Sequence, residues 1–304
     1  MKIVLAHHAR LPVKGYGGTE RVVVWLGRGL AELGHEVTLL AAPGSKVPWA
    51  RHVPIDTRRA AHPGFDLRPW IPRGTELVHA HQEITDPGLP WCWTLHGNAQ
   101  KPRQFPPNTI GLSADHARRH GLGPWVHNGL DPAELEFRRE KKDYDLFLGR
   151  LHSIKGWQWA MEGVRRAGRR LVVAGGWRPV VSRSVRFVGS VDGARKAELL
   201  AGARLLWSPV QWDEPFGLTT IEALASGTPV LGTRRGALPE IVTAEVGALG
   251  DTLEELVELI ARAEACDPEA CRSRVEQHFH YRVMAASYLE VYRTLLQTGS
   301  QVDG

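Results

Sequence analysis

Cysteine is scarce in this chain, and long apolar runs are missing. Three cysteines, Cys92, Cys266 and Cys271, make an odd count without the spacing of metal ligands, which predicts free thiols rather than a disulfide framework or a zinc site. No apolar run reaches the roughly 18 residues of a membrane span. The opening MKIVLAHH predicts a β-strand and not a signal peptide, because its apolar run is short and no small-residue cleavage site follows. These absences indicate a globular protein, for which we expect a cytoplasmic location.

The charge balance is basic, with a formal charge of +5 and a pI near 9.3. Such a surplus suits a phosphate-bearing ligand, an anionic membrane surface or nucleic acid, and charge alone does not choose among them. Nucleic acid is not favoured, because no aromatic-basic RNA motif is present. Peripheral association with anionic lipid stays an alternative, with Trp49 and Trp70 as surface residues. The competing interpretation packs these tryptophans in the core.

Strand and helix patterns alternate along the 304 residues, a length that suits two domains. A strand at 2–8, a helix with apolar residues at 22, 23, 26, 30 and 33, and a strand at 36–42 form a βαβ unit, which implies a parallel sheet. Further strands are predicted at 76–81 and 91–97, and residues 43–75 are predicted to be irregular. The predicted first domain is 1–127, with a hinge near 124–132 where Pro, Asn and Gly cluster.

The second half repeats the alternation, and we predict a second doubly wound domain over 128–280 with a terminal helix at 281–297. Its predicted strands are 144–150, 169–176, 184–191, 203–210 and 228–233, and its predicted helices are 156–168, 193–202, 217–226 and 251–265. The fold class is therefore α/β, with two facing Rossmann-like parallel-sheet domains and a cleft between them. Ligands of such sheets bind beyond the carboxyl ends of the strands.

A glycine-rich loop, KGYGGTE at 14–20, follows the first strand and precedes a helix. Backbone amides at a helix N-terminus attract phosphate, and glycine permits close approach. The dinucleotide fingerprint G-x-G-x-x-G fails, because Glu20 stands at its third glycine position, and no acidic residue closes the second strand. The loop therefore predicts a phosphate site or an ordinary turn, and not a nicotinamide cofactor.

Two glutamates, Glu214 and Glu222, bracket a predicted helix start in DEPFGLTTIEALASGTPVLG. Carboxylates accept hydrogen bonds from hydroxyls, and amides at the helix start can meet an anion. A sugar nucleotide matches this order, with hydroxyls at both ends and a diphosphate between. Arg150 and Lys155, in GRLHSIKG, are placed to neutralise a departing diphosphate.

The chain resembles the family 4 glycosyltransferases, which are retaining enzymes of GT-B fold. The resemblance rests on segments that keep the family's order across most of the chain: GYGGTERVV, LVHAHQ, VHNGLDP, FLGRLHSIKG, VRFVGSVDGARKAELLAGARL, EPFGLTTIEALASGTPVLGTRRGALPEIV and YLEVYRTLL. At 304 residues the chain is short for the family, and its first domain is trimmed between 43 and 75. The acceptor of similar enzymes binds there, so the acceptor stays unassigned.

The resemblance implies a role for each matching residue. Arg150 and Lys155 would hold the donor diphosphate, Glu214 the transferred sugar and Glu222 the ribose. His81 would touch the hexose, with His96 as a second candidate. Helix 281–297 would return to the first domain. The other implied donor contacts are Gly17 and Gly18 at the diphosphate, Val191 and Lys196 near the base, and Phe216, Gly217, Leu218 and Thr219 near the sugar and β-phosphate.

The implied activity is transfer of a hexose from a nucleotide diphosphate sugar, with a UDP-sugar favoured and GDP-mannose as the alternative donor. No metal or other cofactor is expected, because cations of the chain would stabilise the leaving diphosphate. Three alternatives stay open: a GT-B epimerase, a phosphorylase, and a catalytically silent sugar-nucleotide-binding partner protein. The hexose, the acceptor and the oligomeric state are not specified by the sequence.

Overall fold

A computed structural model describes residues 1–13, 15, 17–179 and 182–299. Lys14 and Tyr16 of the glycine-rich loop therefore lie outside the described residues. The chain divides into two compact units: Met1–Leu130 together with the segment from Tyr281 onward, and Asp131–His280. Each unit is built on a six-stranded parallel sheet.

The first unit has the strand order β3-β2-β1-β4-β5-β6. Its buried strands are rich in Val, Ile and Leu, as parallel strands covered on both faces require. The strands are β1 Lys2–Ala6, β2 Glu36–Ala41, β3 Arg51–Pro54, β4 Leu77–Ala80, β5 Trp91–Thr94 and β6 Thr109–Ile110. The helices are α1 Gly18–Glu32, α2 Thr57–Ala60, α3 Ala114–His120 and α10 Tyr281–Gly299, with a 3-10 turn at Arg68–Trp70.

Segment 43–75, predicted to be irregular, contains β3, α2 and the 3-10 turn. The prediction was wrong there because β3 lies at the edge of the sheet and is largely exposed, so no apolar run marks it. Trp49 and Trp70 are both half-buried. A Cβ at Gly27 would come within 2.2 Å of the Trp49 ring, so glycine at this position leaves room for the ring to pack against α1. Trp70 packs on Phe65 and the core around it.

Helix α10 packs along α1 within the first unit. A Cβ at Gly29 would lie 2.7 Å from the Cβ of Ala285, so glycine lets the two helices approach closely. The Tyr281 hydroxyl and the Arg282 guanidinium both donate to Glu32, each at 2.8 Å. These contacts explain why a segment so late in the chain belongs to the first unit.

The second unit repeats the arrangement, with the strand order β12-β11-β10-β7-β8-β9. Trp207, Phe147 and Val173 are central to its apolar core. Its strands are β7 Asp145–Leu148, β8 Leu171–Ala174, β9 Val185–Phe187, β10 Leu206–Ser208, β11 Val230–Thr233 and β12 Gly247–Gly250. Its helices are α4 Trp157–Arg166, α5 Gly193–Gly202, α6 Leu218–Ala225, α7 Leu238–Ile241, α8 Leu253–Glu264 and α9 Pro268–His278, with 3-10 turns at Pro132–Glu134 and Ser153–Lys155.

One buried cluster of charged residues lies at the amino-terminal edge of this sheet. Asp145 is fully buried at the start of β7, and its two oxygens accept from Arg169 at 2.8 and 2.9 Å. The Trp207 indole also donates to Asp145, and Arg169 reaches Glu264 on α8. A buried carboxylate with these partners is satisfied, so the cluster is structural and leaves the opposite, carboxyl edge of the sheet for ligands.

Candidate functional site

Two loops meet tightly at the carboxyl edge of the second sheet. The loop after β7 ends in the 3-10 turn Ser153–Lys155, and the loop after β10 begins at Pro209. Gly156 has φ of +75°, and a Cβ there would lie 1.8 Å from the Pro209 carbonyl oxygen. The Gln211 amide donates to the Ile154 carbonyl at 2.7 Å. Glycine at 156 therefore allows the contact that brings Lys155 to the second loop.

Lys155 and Glu214 are paired across this contact. The Lys155 Nζ donates to Glu214 Oε2 at 2.5 Å, and both side chains are largely buried. The indole of Trp212 donates to the same oxygen at 2.8 Å. The Lys155 ammonium also lies over the Trp212 ring, 4.7 Å from its centroid. A cation, a carboxylate and an aromatic ring thus form one cluster.

Helix α6 begins directly beside this cluster. Its cap residue Gly217 has φ of +101°, a left-handed conformation that favours glycine. The Glu214 carbonyl accepts from the Ala237 amide at 2.9 Å, and a Cβ at Gly236 would lie 2.3 Å from the Glu214 backbone. Phe216 is buried, whereas Leu218 and Thr219 in the first turn are half-buried. The start of α6 is consequently fixed, with its positive dipole end at the site.

Glu222 lies one turn farther along α6 and is 3% exposed. Lys196 on α5 donates to Glu222 Oε1 at 2.5 Å. The lysine side chain is 17% exposed and that of the glutamate 4%. This second ion pair satisfies one oxygen of a buried carboxylate.

Arg150 follows β7 and is exposed. Within the described part of the chain, its guanidinium makes no hydrogen bond or ion pair. Gly175, with φ of +114°, brings the loop after β8 close to it, because a Cβ there would lie 2.2 Å from the Gly149 carbonyl oxygen. Gly176 forms a bridge with Gly189, which ties in the loop after β9 that carries half-buried Val191.

Histidines gather at the carboxyl edge of the first sheet. His81 Nδ1 shares a hydrogen bond of 2.9 Å with His96 Nε2. His81 is 6% exposed, and its buried Nε2 has no hydrogen-bond partner among the described residues. His79 shares hydrogen bonds with Tyr292 of α10 at 2.7 Å and with Thr94 at 2.8 Å.

Burial lowers the pKa of these imidazoles, which favours their neutral form. Desolvation, with a further contribution from neighbouring histidines, lowers the pKa of His96 to about 3 and holds the pKa of His81 well below its usual range. Desolvation alone lowers the pKa of His79 to about 3. A neutral imidazole can donate or accept a hydrogen bond at its open nitrogen, so His81 Nε2 is suited to a hydroxyl ligand.

Gly17 and Gly18 lie at the start of α1, after β1. Gly17 is the buried cap residue, and a Cβ there would lie 2.9 Å from the Val13 side chain and 2.8 Å from the Glu20 carboxylate. Gly18 is half-buried as the first residue of the helix. The start of the helix is therefore packed closely against the side chains of Val13 and Glu20, and a larger residue at position 17 would displace them.

The residues singled out from the sequence are divided between the two units. The second unit holds Arg150, Lys155, Val191, Lys196, Glu214, Phe216, Gly217, Leu218, Thr219 and Glu222. The first unit holds Gly17, Gly18, His81 and His96. Sequence reasoning did not single out Trp212 or His79. A tryptophan two residues before Glu214 was the available signal for the former, and a second histidine on the strand of His81 for the latter.

One family model matches most of the second unit. Residues 143–265 match the family model described as Glycosyl transferases group 1. These residues are a glycosyl transferases group 1 domain. The group 1 domain includes both ion pairs, Lys155–Glu214 and Lys196–Glu222, and Arg150.

Relatives of known name match part of the chain. Over 132 residues it is 33% identical to a phosphatidyl-myo-inositol mannosyltransferase of Mycobacterium leprae, a match that covers 39% of this chain and 34% of that protein. The chain thus spans about a third of the length of this relative.

Solved structures match nearly the whole chain. The crystal structure of AviGT4, a glycosyltransferase involved in avilamycin A biosynthesis, has a TM-score of 0.81 and 29% identity, and covers 97% of this chain and 98% of its own. HepE of Anabaena, crystallised with UDP and glucose, has a TM-score of 0.66 at 14% identity over 97% of this chain and all of its own. The fold of this chain is GT-B.

The described residues contain neither a candidate membrane span nor a cluster of metal ligands. None of their helices combines the length and the apolar content that crossing a bilayer requires. Their His, Cys, Asp and Glu side chains form no group of three or more with the geometry of a metal site.

Proposed function

We propose that this protein is a retaining glycosyltransferase that moves a hexosyl group from a nucleotide diphosphate sugar to an acceptor. The observation that carries the proposal is the Lys155–Glu214 pair at the start of α6, one helical turn from the Glu222–Lys196 pair. Carboxylates suited to hydroxyls thus flank a cation and a helix N-terminus suited to phosphate. The group 1 domain and the AviGT4 likeness support the same activity.

In the proposed reaction, the bond between the anomeric carbon and the diphosphate breaks, and negative charge builds on the diphosphate. Arg150, Lys155 and the amides at the start of α6 stabilise that charge, which is often the largest contribution to such a transfer. Glu214 binds hydroxyls of the sugar and Glu222 those of the ribose. The acceptor oxygen attacks from the side of the leaving group, and a phosphate oxygen takes its proton, so the configuration is retained.

On the first unit, we assign the open Nε2 of His81 to the donor hexose and the glycines at the start of α1 to the diphosphate. The unsatisfied buried nitrogen supports the histidine assignment, because burying a polar atom without a partner is costly unless a ligand satisfies it. His96 then acts by orienting His81 through their shared hydrogen bond. Val191 and Lys196 are assigned to the base side of the donor.

We propose UDP-sugars as first-choice donors and GDP-mannose as the second, and catalysis that does not need a metal. A thermal-shift screen with UDP-glucose, UDP-galactose, UDP-N-acetylglucosamine and GDP-mannose tests the donor, because a ligand that binds only the folded state raises the melting temperature. Release of the nucleoside diphosphate measures turnover, and the same assay with and without EDTA tests whether turnover needs a metal. Absence of any shift would contradict the proposal, whereas a shift without nucleoside diphosphate release would indicate a catalytically silent sugar-nucleotide-binding partner protein. A mass-neutral conversion without acceptor would indicate an epimerase instead.

A further inference from the structure

Trp212 touches both members of the Lys155–Glu214 pair, and it does so in two different ways. Its indole N–H donates to Glu214 Oε2, and its ring face lies under the Lys155 ammonium. The first contact is a hydrogen bond to a charged acceptor, and the second is a cation–π contact. The two contacts use different parts of one side chain, so substitution can separate them.

The two oxygens of Glu214 have different surroundings. Oε2 accepts from both Lys155 and Trp212, whereas Oε1 has no hydrogen-bond partner among the residues that the structure describes. A carboxylate held through one oxygen has a fixed orientation, and its second oxygen is left to accept from a hydroxyl. Glu214 is thus arranged to present Oε1 to a ligand.

Lys155 cannot serve Glu214 and a phosphate equally well. In the proposed function, which this inference takes as its basis, the Lys155 ammonium turns to the donor diphosphate, and Glu214 then loses one of its two anchors. The Trp212 N–H does not depend on the phosphate and remains on Oε2. The backbone that carries Trp212 is itself fixed, because the neighbouring Gln211 amide donates to Ile154 at 2.7 Å.

We propose that Trp212 is a positioning residue that keeps the Glu214 carboxylate aimed at the transferred sugar through its indole N–H while its ring guides Lys155 toward the diphosphate. In this proposal Trp212 contacts neither the anomeric carbon nor the acceptor oxygen. It acts through Glu214 for the sugar and through Lys155 for the phosphate, and these two effects are separable in measurements.

The test compares Trp212→Phe, which keeps the ring face and removes the N–H, with Trp212→Ala, which removes both. The probes are UDP and UDP-glucose, with GDP and GDP-mannose in parallel, and the readouts are nucleoside diphosphate affinity and the kcat of its release from the sugar donor. Trp212→Phe should lower kcat about tenfold, the scale of one hydrogen bond to a charged group, and leave the affinity for the diphosphate within about twofold. Trp212→Ala should weaken that affinity as well.

A double-mutant cycle with Glu214→Gln distinguishes positioning from packing. If Trp212 acts through Glu214, Trp212→Phe should have little further effect on kcat in the Glu214→Gln background. The matched control is Trp159→Phe, at a half-buried tryptophan that packs on the core of the same unit, and it should leave all readouts unchanged.

Unchanged kcat in Trp212→Phe, or full additivity with Glu214→Gln, would overturn the inference while the proposed function stands. The inference would also be overturned if Trp212→Phe and Trp212→Ala lowered kcat equally and a fall in melting temperature explained the loss. If the wild type neither binds nor turns over any of the four probes, the proposed function fails, and the inference fails with it.

Discussion

Lys196 on α5 donates to the Glu222 carboxylate on α6 at 2.5 Å, and the glutamate is almost completely buried. The pair compensates a charge that would otherwise be costly to bury. Only Oε1 of Glu222 accepts from the lysine, and Oε2 has no hydrogen-bond partner among the described residues. This arrangement resembles that of Glu214, where one oxygen is held and the other is open.

We expect Glu222 to distinguish nucleotides by their ribose hydroxyls. The wild type should bind UDP at least about tenfold more tightly than 2′,3′-dideoxy-UDP, because a buried carboxylate left without its hydroxyl partners is unfavourable. Glu222→Gln should remove most of this preference, as measured by calorimetry with both nucleotides. Glu198→Gln is the matched control, since Glu198 lies exposed on α5 and pairs with Lys142 at the surface. An undiminished preference in Glu222→Gln would contradict the ribose assignment.

Arg150→Ala should reduce transfer by about 100-fold or more, the scale for losing one charge-stabilising donor. The melting temperature should hardly change, because the described residues offer the exposed guanidinium no hydrogen bond or ion pair to lose. The two measurements together separate a role in the reaction from a role in folding. Arg165→Ala serves as control, since Arg165 is an exposed arginine on α4 whose ion-pair partner among the described residues is Glu162, and surface pairs contribute little. Near-normal turnover in Arg150→Ala would remove this residue from the mechanism.

Local pattern was enough to predict a parallel sheet in each half of the chain, with four of the six strands of the first sheet and five of the six of the second. It also predicted the neighbourhood of Lys155, Glu214 and Glu222, because alternating strands and helices put these residues after strands of one sheet. It could not predict β3, whose exposed edge position leaves no apolar run. Trp212 was out of reach for a different reason. Its role depends on the meeting of two loops more than 50 residues apart in sequence, which the Lys155–Glu214 separation of 59 residues illustrates.

Trp49 should contribute to the stability of the first unit and not to lipid binding. Its ring occupies the space beside Gly27 on α1, so Trp49→Ala should lower the free energy of unfolding by about 2 kcal/mol, at the low end for a large apolar truncation because the residue is only half-buried. Denaturant titration measures this change. Trp125→Ala is the control, because Trp125 is 43% exposed. Co-sedimentation with anionic vesicles at low and high salt should not differ between Trp49→Ala and the wild type, and a loss of salt-sensitive binding would instead support a lipid contact.

Acid should unfold the first unit before the second, because the first contains the buried histidines. Burial lowers the pKa of His7, His79 and His96 to about 3, from 6.5 in the unfolded chain, with His8 adding to the effect on His7. Between those values the unfolded chain binds protons that the folded chain does not. The stability is therefore fully present above pH 6.5 and falls as the pH drops toward 3, by up to about 1.4 kcal/mol per pH unit for each histidine.

Hydrogen exchange at pH 7.5 and pH 5, corrected for the intrinsic rate, measures this difference between the units. Amides of β4 and β5, which carry or adjoin the histidines, should lose protection at the lower pH. Amides of β7 and β8 should keep theirs, because the histidines of the second unit, His152, His278 and His280, are not buried. Equal loss of protection in both sheets would show that the buried histidines do not control the acid stability of the first unit.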